Sequence, residues 1–338
     1  MKGLKFRDKL IFMGNSLAAF LLLMSYILQY IPPKTFAALS VLSLSVPLLL
    51  LINILFFIYW LLKLKKQFLL SLIVLGFGYR YINAMYKFSS SKGVEDSKNI
   101  SIMNYNVRLF NLFDWLPSKT VKDDIITFIK TEQPDILCIQ EYHEKEPISI
   151  SGYSKYQLLS EGKIHSGQAI FSKLPIVNSG SVKFQKTSNN AIFIDVIKDN
   201  DTLRVYNLHL QSSGINTNVK TLNKETSSEL FNQVSTTFIA QQTQAELFIA
   251  HKAKCNYKVI IAGDFNNTAY SYVYREIKGD LIDAFETAGD GFGRTYDFKF
   301  FPVRIDFILV DDAFTVNTFK TYNTKLSDHY PIKATLKL

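Results

Sequence analysis

Hydrophobic positions fall into two regimes along this 338-residue chain. Residues 10–86 are apolar almost without interruption, whereas from Ser101 onward short apolar runs alternate with polar turns as in a globular domain. The first run, Leu10–Ile31, is 22 residues without a formal charge and is ended by Pro32 and Pro33. That length suits a helix crossing roughly 30 Å of hydrocarbon. The second run, Phe36–Leu62, is longer and carries Pro47, which a kink or neighbouring packing accommodates. A third, Phe68–Tyr86, is uninterrupted only to Tyr79. It reads as a span whose Arg80 snorkels to an interface, with an interfacial amphipathic helix as the alternative. A cleavable leader does not fit the first run, because its apolar core is too long and it runs straight into another span. Residues 1–88 thus form a membrane anchor with two to three transmembrane helices. The serine-rich stretch 89–99 is a short solvated linker.

From residue 100 to 338 the pattern predicts strands at Ile102–Val107, Asp135–Glu141, Gln168–Ser172, Ala191–Ile197, Leu203–Leu210, Lys258–Ala262, Arg304–Val310 and Pro331–Leu338. Helical periodicity covers about Ser118–Thr131 and Glu225–His251. Mixed elements of this kind imply layered α/β packing.

Hydrophobic residues make up 48% of the chain, and the excess sits in the anchor. The formal charge of +9 would suggest a nucleic-acid binder if it were spread over the globular part, but it is not. Residues 1–100 hold 12 Lys/Arg against Asp8, Glu95 and Asp96; residues 101–338 hold 26 of each sign. The globular part therefore lacks the broad basic face that supplies non-specific affinity for nucleic-acid backbones. Cys138 and Cys255, with no C-x-x-C spacing, indicate neither a zinc site nor a disulfide framework, and Cys138 reads as a small buried hydrophobe.

Several predicted strands end in acid/base or metal-type side chains: Asn106, Glu141, His209, Asp264 with Asn266, Asp306, and the pair Asp328-His329. Strand ends let a rigid sheet aim polar groups into a cleft. Hard oxygens with little sulfur suit Mg²⁺, or Mn²⁺ in its place. A single Asp or Asn at a strand end is usually a turn former, so the ordered set carries the argument.

That set runs Tyr-Asn-Val (105–107), Ile-Gln-Glu (139–141), Asn-Leu-His-Leu-Gln (207–211), Gly-Asp-Phe-Asn (263–266), Arg-Ile-Asp-Phe-Ile (304–308) and Ser-Asp-His-Tyr-Pro (327–331). Six motifs in this order resemble the endonuclease/exonuclease/phosphatase superfamily over essentially all of residues 100–338. The resemblance implies a four-layer, DNase I-like α/β sandwich of two facing mixed β-sheets flanked by helices, here preceded by transmembrane helices. It implies Glu141 as principal Mg²⁺ ligand, Asn106 beside metal and phosphate, and Asp328 as a further metal-side carboxylate. It implies Asp264 as the group that orients or deprotonates the attacking water, Asn266 as its phosphate-holding neighbour, His329 on the scissile phosphate, and Asp306 orienting His329. His209 resembles the second histidine of the DNase I, sphingomyelinase and inositol-phosphatase branches, which weighs against a DNA-repair role.

For Arg108, a phosphate contact and a solvated cation are equal readings. His143, His165 and His251 read as surface residues, and Asp123-Asp124 and Asp311-Asp312 as helix-start and turn carboxylates. Gly167–Pro175 resembles a family strand-and-turn element and reads as structural. The aromatic loop of Phe292, Tyr296, Phe298, Phe300 and Phe301 is expected to pack as core beneath the Arg304 strand, with contact to a lipid or a base as the alternative.

Together these observations predict a membrane-anchored, Mg²⁺-dependent phosphodiesterase or phosphatase, with membrane lipids around its helices and a phosphate ester, such as a phospholipid head group, as substrate. A membrane-tethered nuclease is the runner-up. A non-catalytic scaffold has little use for so many acid/base groups, and no protein partner can be inferred. Lys2, Lys5, Arg7 and Lys9 before the first span, Lys34 alone after it, and Lys63, Lys65 and Lys66 after the second place the N-terminus in the cytoplasm. Three spans then put the catalytic domain on the non-cytoplasmic side, and two would keep it cytoplasmic, an outcome that Arg80, Lys87 and Lys92 mildly favour. A reporter fused after Leu338 is expected to be active outside the cytoplasm; activity only inside would refute the three-span arrangement.

Overall fold

The computed structural model describes residues 4–88, 99–144, 148–161, 164–215, 227–299 and 301–338. Phe300 and nearly all of the expected linker, Ser89–Lys98, lie outside the described residues.

The apolar regime forms five helices: α1 (Phe6–Ser25), α2 (Pro33–Val41), α3 (Val46–Leu62), α4 (Phe68–Phe77) and α5 (Tyr79–Met85). Two helical stretches, Phe6–Tyr30 and Pro33–Leu62, are long and apolar enough to cross a membrane. The third expected run is not one straight helix but bends by 75° between α4 and α5. The bend falls at Gly78, where a Cβ would lie 1.8 Å from the Tyr26 hydroxyl. Polar groups inside the bundle satisfy one another: Asn15 Nδ2 donates to Ser71 Oγ at 2.7 Å, and the Tyr26 hydroxyl donates to the Val74 carbonyl at 3.0 Å.

Beyond the helices come β1 (Tyr86–Lys87), β2 (Ile100–Asn106), α6 (Val121–Glu132), β3 (Ile136–His143), β4 (Ser154–Leu159), β5 (Ser166–Ser172), β6 (Ile176–Lys183), β7 (Asn190–Lys198) and β8 (Asp201–His209). The chain continues through α7 (Ser227–Lys252), β9 (Lys258–Asp264), α8 (Tyr272–Lys278), β10 (Ile282–Asp283), α9 (Ala284–Ala288), β11 (Gly291–Phe292), β12 (Asp306–Val310), β13 (Thr315–Thr321) and β14 (Ile332–Lys337). Two six-stranded sheets result, ordered β13-β14-β2-β3-β5-β4 and β10-β12-β9-β8-β7-β6. Each has one parallel pair, β2 with β3 and β8 with β9, among antiparallel neighbours.

Alternation along the strands sorts the core into layers. Ile100, Ile102, Ile136 and Cys138 of the first sheet meet Ile192, Ile194, Val205, Ile260 and Ile308 of the second in one cluster between the sheets. Met103, Tyr105 and Leu137 face outward onto Val121, Ile125 and Ile129 of α6. Tyr206, Leu208 and Ile261 face the other way onto Ala245 and Phe248 of α7. The four layers are those expected, with Cys138 fully buried between the sheets.

The helices are not merely tethered to these layers. Ala19, Leu22, Val46, Leu50 and Ala84 belong to the same buried cluster as Phe248, Tyr270 and Phe307. The Lys34 N–H donates to Gln242 of α7 at 2.8 Å, and its ammonium meets Glu246 at 2.5 Å. Arg275 of α8 donates to the Gln29 carbonyl at 3.1 Å and stacks on Tyr30, while Tyr81 stacks on Tyr270. All these contacts lie at the end of the bundle away from the Asp8–Lys63 ion pair. Arg304, buried, pairs with Asp283 at 2.6 Å and donates to the Ala84 carbonyl at 3.2 Å, and β1 pairs with β11.

Arg304→Met should leave Asp283 as an uncompensated buried carboxylate and destabilise the protein by about 3–5 kcal/mol. Chemical denaturation of detergent-solubilised protein measures this, and a loss below about 1 kcal/mol would show that the pair is dispensable.

Candidate active site

Within each sheet, the carboxyl ends of the parallel pair and the amino ends of its antiparallel neighbour share one edge. Asn106 and Glu141 stand at or near the ends of β2 and β3, His209 and Asp264 at the ends of β8 and β9, Asp306 at the start of β12, and His329 just before β14. The inner-face positions change character on the way to this edge: Ile100, Ile102, Asn104, Asn106 along β2; Ile136, Cys138, Gln140 along β3; Leu203, Val205, Asn207, His209 along β8; Ile260, Ala262, Asp264 along β9. A dry sandwich becomes a buried polar cluster.

Hydrogen bonds and close ion-pair contacts link the cluster. Gln140 donates to Asn207 Oδ1 at 2.5 Å and to Asn104 Oδ1 at 2.7 Å, and Asn104 donates to Asp306 Oδ1 at 3.2 Å. Asp306 Oδ2 lies 2.9 Å from His329 Nδ1, and His329 Nε2 lies 3.7 Å from Asp264 Oδ2. Asn106 Nδ2 donates to Asp264 at 3.0 Å and to Glu141 at 3.2 Å. His209 Nε2, buried and without a hydrogen-bond partner, faces the same Asp264 oxygen at 3.8 Å. An orphaned buried nitrogen beside a carboxylate suits a group that meets its partner only when substrate is present.

Strict alternation would turn Glu141 away from the inner face that Gln140 occupies. A register shift between Ile139 and Tyr142, with φ of +49° at Glu141, re-aims it, and its carboxylate lines the cleft. Asn266 also sits at φ +49°, its N–H on Asp264 Oδ1 at 2.8 Å and its side-chain amide on the Leu210 carbonyl. Asp328 pairs with Arg108 Nε at 3.2 Å, and Arg108 stacks on Trp115, so Arg108 is neither a free solvated cation nor bare of a carboxylate partner.

Burial raises the Asp264 and Glu141 carboxyls above the ordinary range and lowers His209. Burial alone would lower His329 too, but Asp306 and Asp264 outweigh it and raise the imidazole to about 10. His329 is therefore a cation at neutral pH, able to hold phosphate charge.

Two groups of ligands could receive a divalent cation. Asp264, Asp306 and His329 bring ligand atoms within 4.8 Å of one another. One of their two negative charges is already compensated by the imidazolium between the carboxylates. Glu141 and Asp328 offer carboxylate oxygens of the kind Mg²⁺ prefers, while Asn106 turns its amide nitrogen to Glu141 and its oxygen accepts from the Arg108 N–H.

All eight residues singled out from the sequence lie at this edge. Asn104, Gln140 and Asn207 were missed as functional, although two of them fall inside quoted motifs; the inner-face switch from apolar to amide residues is the signal that marks them. Gln241 of α7 was missed as well; it donates to the Gln211 carbonyl at 2.7 Å and accepts from Asn267, bracing the loop behind Asn266. The aromatic loop departs from expectation: Phe292 is exposed, and Tyr296, Phe298 and Phe301 line the cleft rather than the core, because Phe285 and Phe307 already fill the space around Arg304. His251 is half-buried, its Nδ1 lying 3.0 Å from the Tyr206 hydroxyl, beside Phe193.

A family model described as the endonuclease/exonuclease/phosphatase family matches residues 103–329, and one described as a domain of unknown function matches residues 8–85. No curated protein matches the chain. Among solved structures, an endonuclease/exonuclease/phosphatase from Bacteroides vulgatus is similar at 20% identity and a TM-score of 0.56, covering 71% of this chain and 99% of that one. A mannosyl-6-phosphatase from Bacteroides thetaiotaomicron matches at 20% and 0.54, covering 71% and 100%. The human Nocturnin catalytic domain with bound sulfate matches at 18% and 0.54, covering 70% and 93%. Likenesses at this identity establish the fold.

Because the folded pKa of His329 is raised above its unfolded value, its stabilising contribution is complete below about pH 6.5. It is lost as pH rises toward 10. In metal-free buffer the urea midpoint should fall across that window in the wild type and fall less in His329→Gln; parallel curves would contradict the buried cation.

Proposed function

Because the chain belongs to the endonuclease/exonuclease/phosphatase family, whose members hydrolyse phosphate esters, we propose that it is a membrane-anchored, Mg²⁺-dependent phosphoesterase working on a phosphate ester at the bilayer surface. The observation that carries this reading is the connected chain from Asn104 through Asp306, His329 and Asp264 to Asn106 and Glu141. Acid, base and cation stand at one open edge.

The substrate phosphate lies against the His329 imidazolium, whose tautomer and orientation Asp306 fixes through Nδ1. Asn266 and His209 flank it. Asp264, its carboxyl raised by burial, accepts a proton from water as the water oxygen bonds to phosphorus and the ester P–O bond breaks on the far side, the alkoxide leaving with that bond's electron pair and taking a proton from solvent. Asn106 holds Asp264 in place, so the base does not have to reorganise during the reaction. Glu141, Asn106 and Asp328 would hold the Mg²⁺, which when bound neutralises phosphate charge and eases deprotonation of water; Mn²⁺ fits the same oxygens.

Two helices of spanning length and the hydrophobic residues exposed on them support membrane integration. The layers dock at the end of the bundle away from Asp8 and Lys63, which supports a site on the non-cytoplasmic face if the basic N-terminal end is cytoplasmic. The balanced charge of residues 101–338 supports single phosphate head groups over duplex nucleic acid.

Asp264→Asn should leave folding and metal binding intact and lower turnover at least about 100-fold. Glu141→Gln should instead raise the Mg²⁺ concentration needed for activity. Hydrolysis of phosphate esters across an Mg²⁺ titration measures both, and near-normal behaviour of the two variants would remove this site assignment.

A further inference from the structure

The cleft onto which Glu141, Asn266 and His329 open has a volume of about 670 Å³, and the two sheets and their helices do not build it alone. Glu141, Asn266, Asp328 and His329 line it, and so do Leu44, Pro47 and Leu48 from the elbow between α2 and α3. Met85, Phe298 and Phe301 add further apolar surface. Nothing in the chemistry of a phosphate explains that surface. A nucleic-acid backbone or a sugar phosphate gains little from Leu, Met and Phe side chains, which lose their contact with water only if something apolar covers them.

A second observation shows where such a group leads. Leu48, Leu51, Leu55 and Ile58 follow one another at spacings of three and four along α3, and all four are exposed, Leu48 by 54% and Leu55 by 57%. They form one stripe of a helix that is long and apolar enough to span a bilayer. The stripe begins with Leu48 in the cleft and continues along α3 outside it.

We propose that the anchor is part of the active site: the α2–α3 elbow is the binding wall for the alkyl chain of a lipid phosphate ester whose phosphate rests against His329 and Glu141. This deepens the phosphoesterase reading and rests on it. The head of the substrate reaches the catalytic groups while its tail keeps contact with the Leu48 stripe, so the lipid need not leave the bilayer completely to react. No basic surface is needed for capture, in keeping with the charge balance of residues 101–338.

The test uses full-length protein in detergent with Mg²⁺ and two matched series of probes below their micelle concentrations: monoalkyl phosphates and p-nitrophenyl alkyl phosphodiesters, each with ethyl, butyl, hexyl and octyl chains. A methylene fully removed from water gives roughly a fourfold gain, so with partial burial kcat/KM should rise at least about 30-fold from butyl to octyl in the hydrolysed series, mainly through KM. Leu48→Asp should cut that octyl-to-butyl ratio at least about fivefold. Val177→Ser, an exposed apolar position outside the cleft, should keep the wild-type ratio. A flat chain-length profile, with both series or either one turned over, overturns the tail wall and leaves the phosphoesterase reading standing. A steep profile that Leu48→Asp does not change assigns the tail to another surface and also overturns the proposal. Absence of hydrolysis in both series removes the phosphoesterase reading itself, and the tail wall with it.

Discussion

His329 sits as a buried cation between two buried carboxylates, and the rest of the catalytic edge is arranged to make that tolerable. A charge taken out of water costs several kcal/mol unless it is paired and its remaining hydrogen-bonding capacity is met. Asp306 meets the imidazole on one side and is itself met by Asn104; Asp264 balances the other side and is steadied by Asn106 and the Asn266 N–H. The amides behind them, Gln140 and Asn207, link the two sheets where an apolar sandwich would otherwise close. Remove the cation, and two carboxylates and a row of amides are left facing one another in a dry interior.

Much of this was legible because strands impose a period of two. Asn106, Glu141, His209, Asp264, Asp306 and His329 all lie where an apolar run stops, and a run stops where a sheet edge meets solvent. Apart from the two-residue pair β1 and β11, the strands overlooked, β4, β6, β10 and β13, are the four edges of the two six-stranded sheets. An edge strand buries little, so Ser154–Leu159, Ile176–Lys183 and Thr315–Thr321 mix polar with apolar positions and send no clear signal, while β10 has only two residues. The re-aimed Glu141 was identified through its motif; alternation alone would have turned it outward. The cleft-lining role of Phe298 and Phe301 was misjudged because composition does not tell which aromatic residues fill the space around a buried arginine.

Least legible was the union of anchor and catalytic layers. A serine-rich stretch between two compositional regimes suggests two bodies on a string. The contacts that join them run largely through backbone atoms: the carbonyls of Gln29, Ala84 and Glu286 accept from Arg275, Arg304 and Lys87, and β1 pairs with β11. Every residue has a carbonyl, so such contacts leave almost no trace in a sequence. The buried cluster that Val46 and Leu50 share with Phe248 and Phe307 fixes the elbow against the cleft as firmly as the sheets fix the catalytic groups.

The pairing of β14 with β2, Ile332 opposite Asn104, joins the start of the catalytic layers to the last strand of the chain. Synthesis delivers β2 well before β14, so β2 keeps one edge unpaired until β14 has emerged. Non-local pairing of this kind makes closure slow. For that interval β2 keeps an apolar strand edge open. The polar edge around His329 is thus completed late, and any process that delays β14 lengthens the exposure of the open β2 edge.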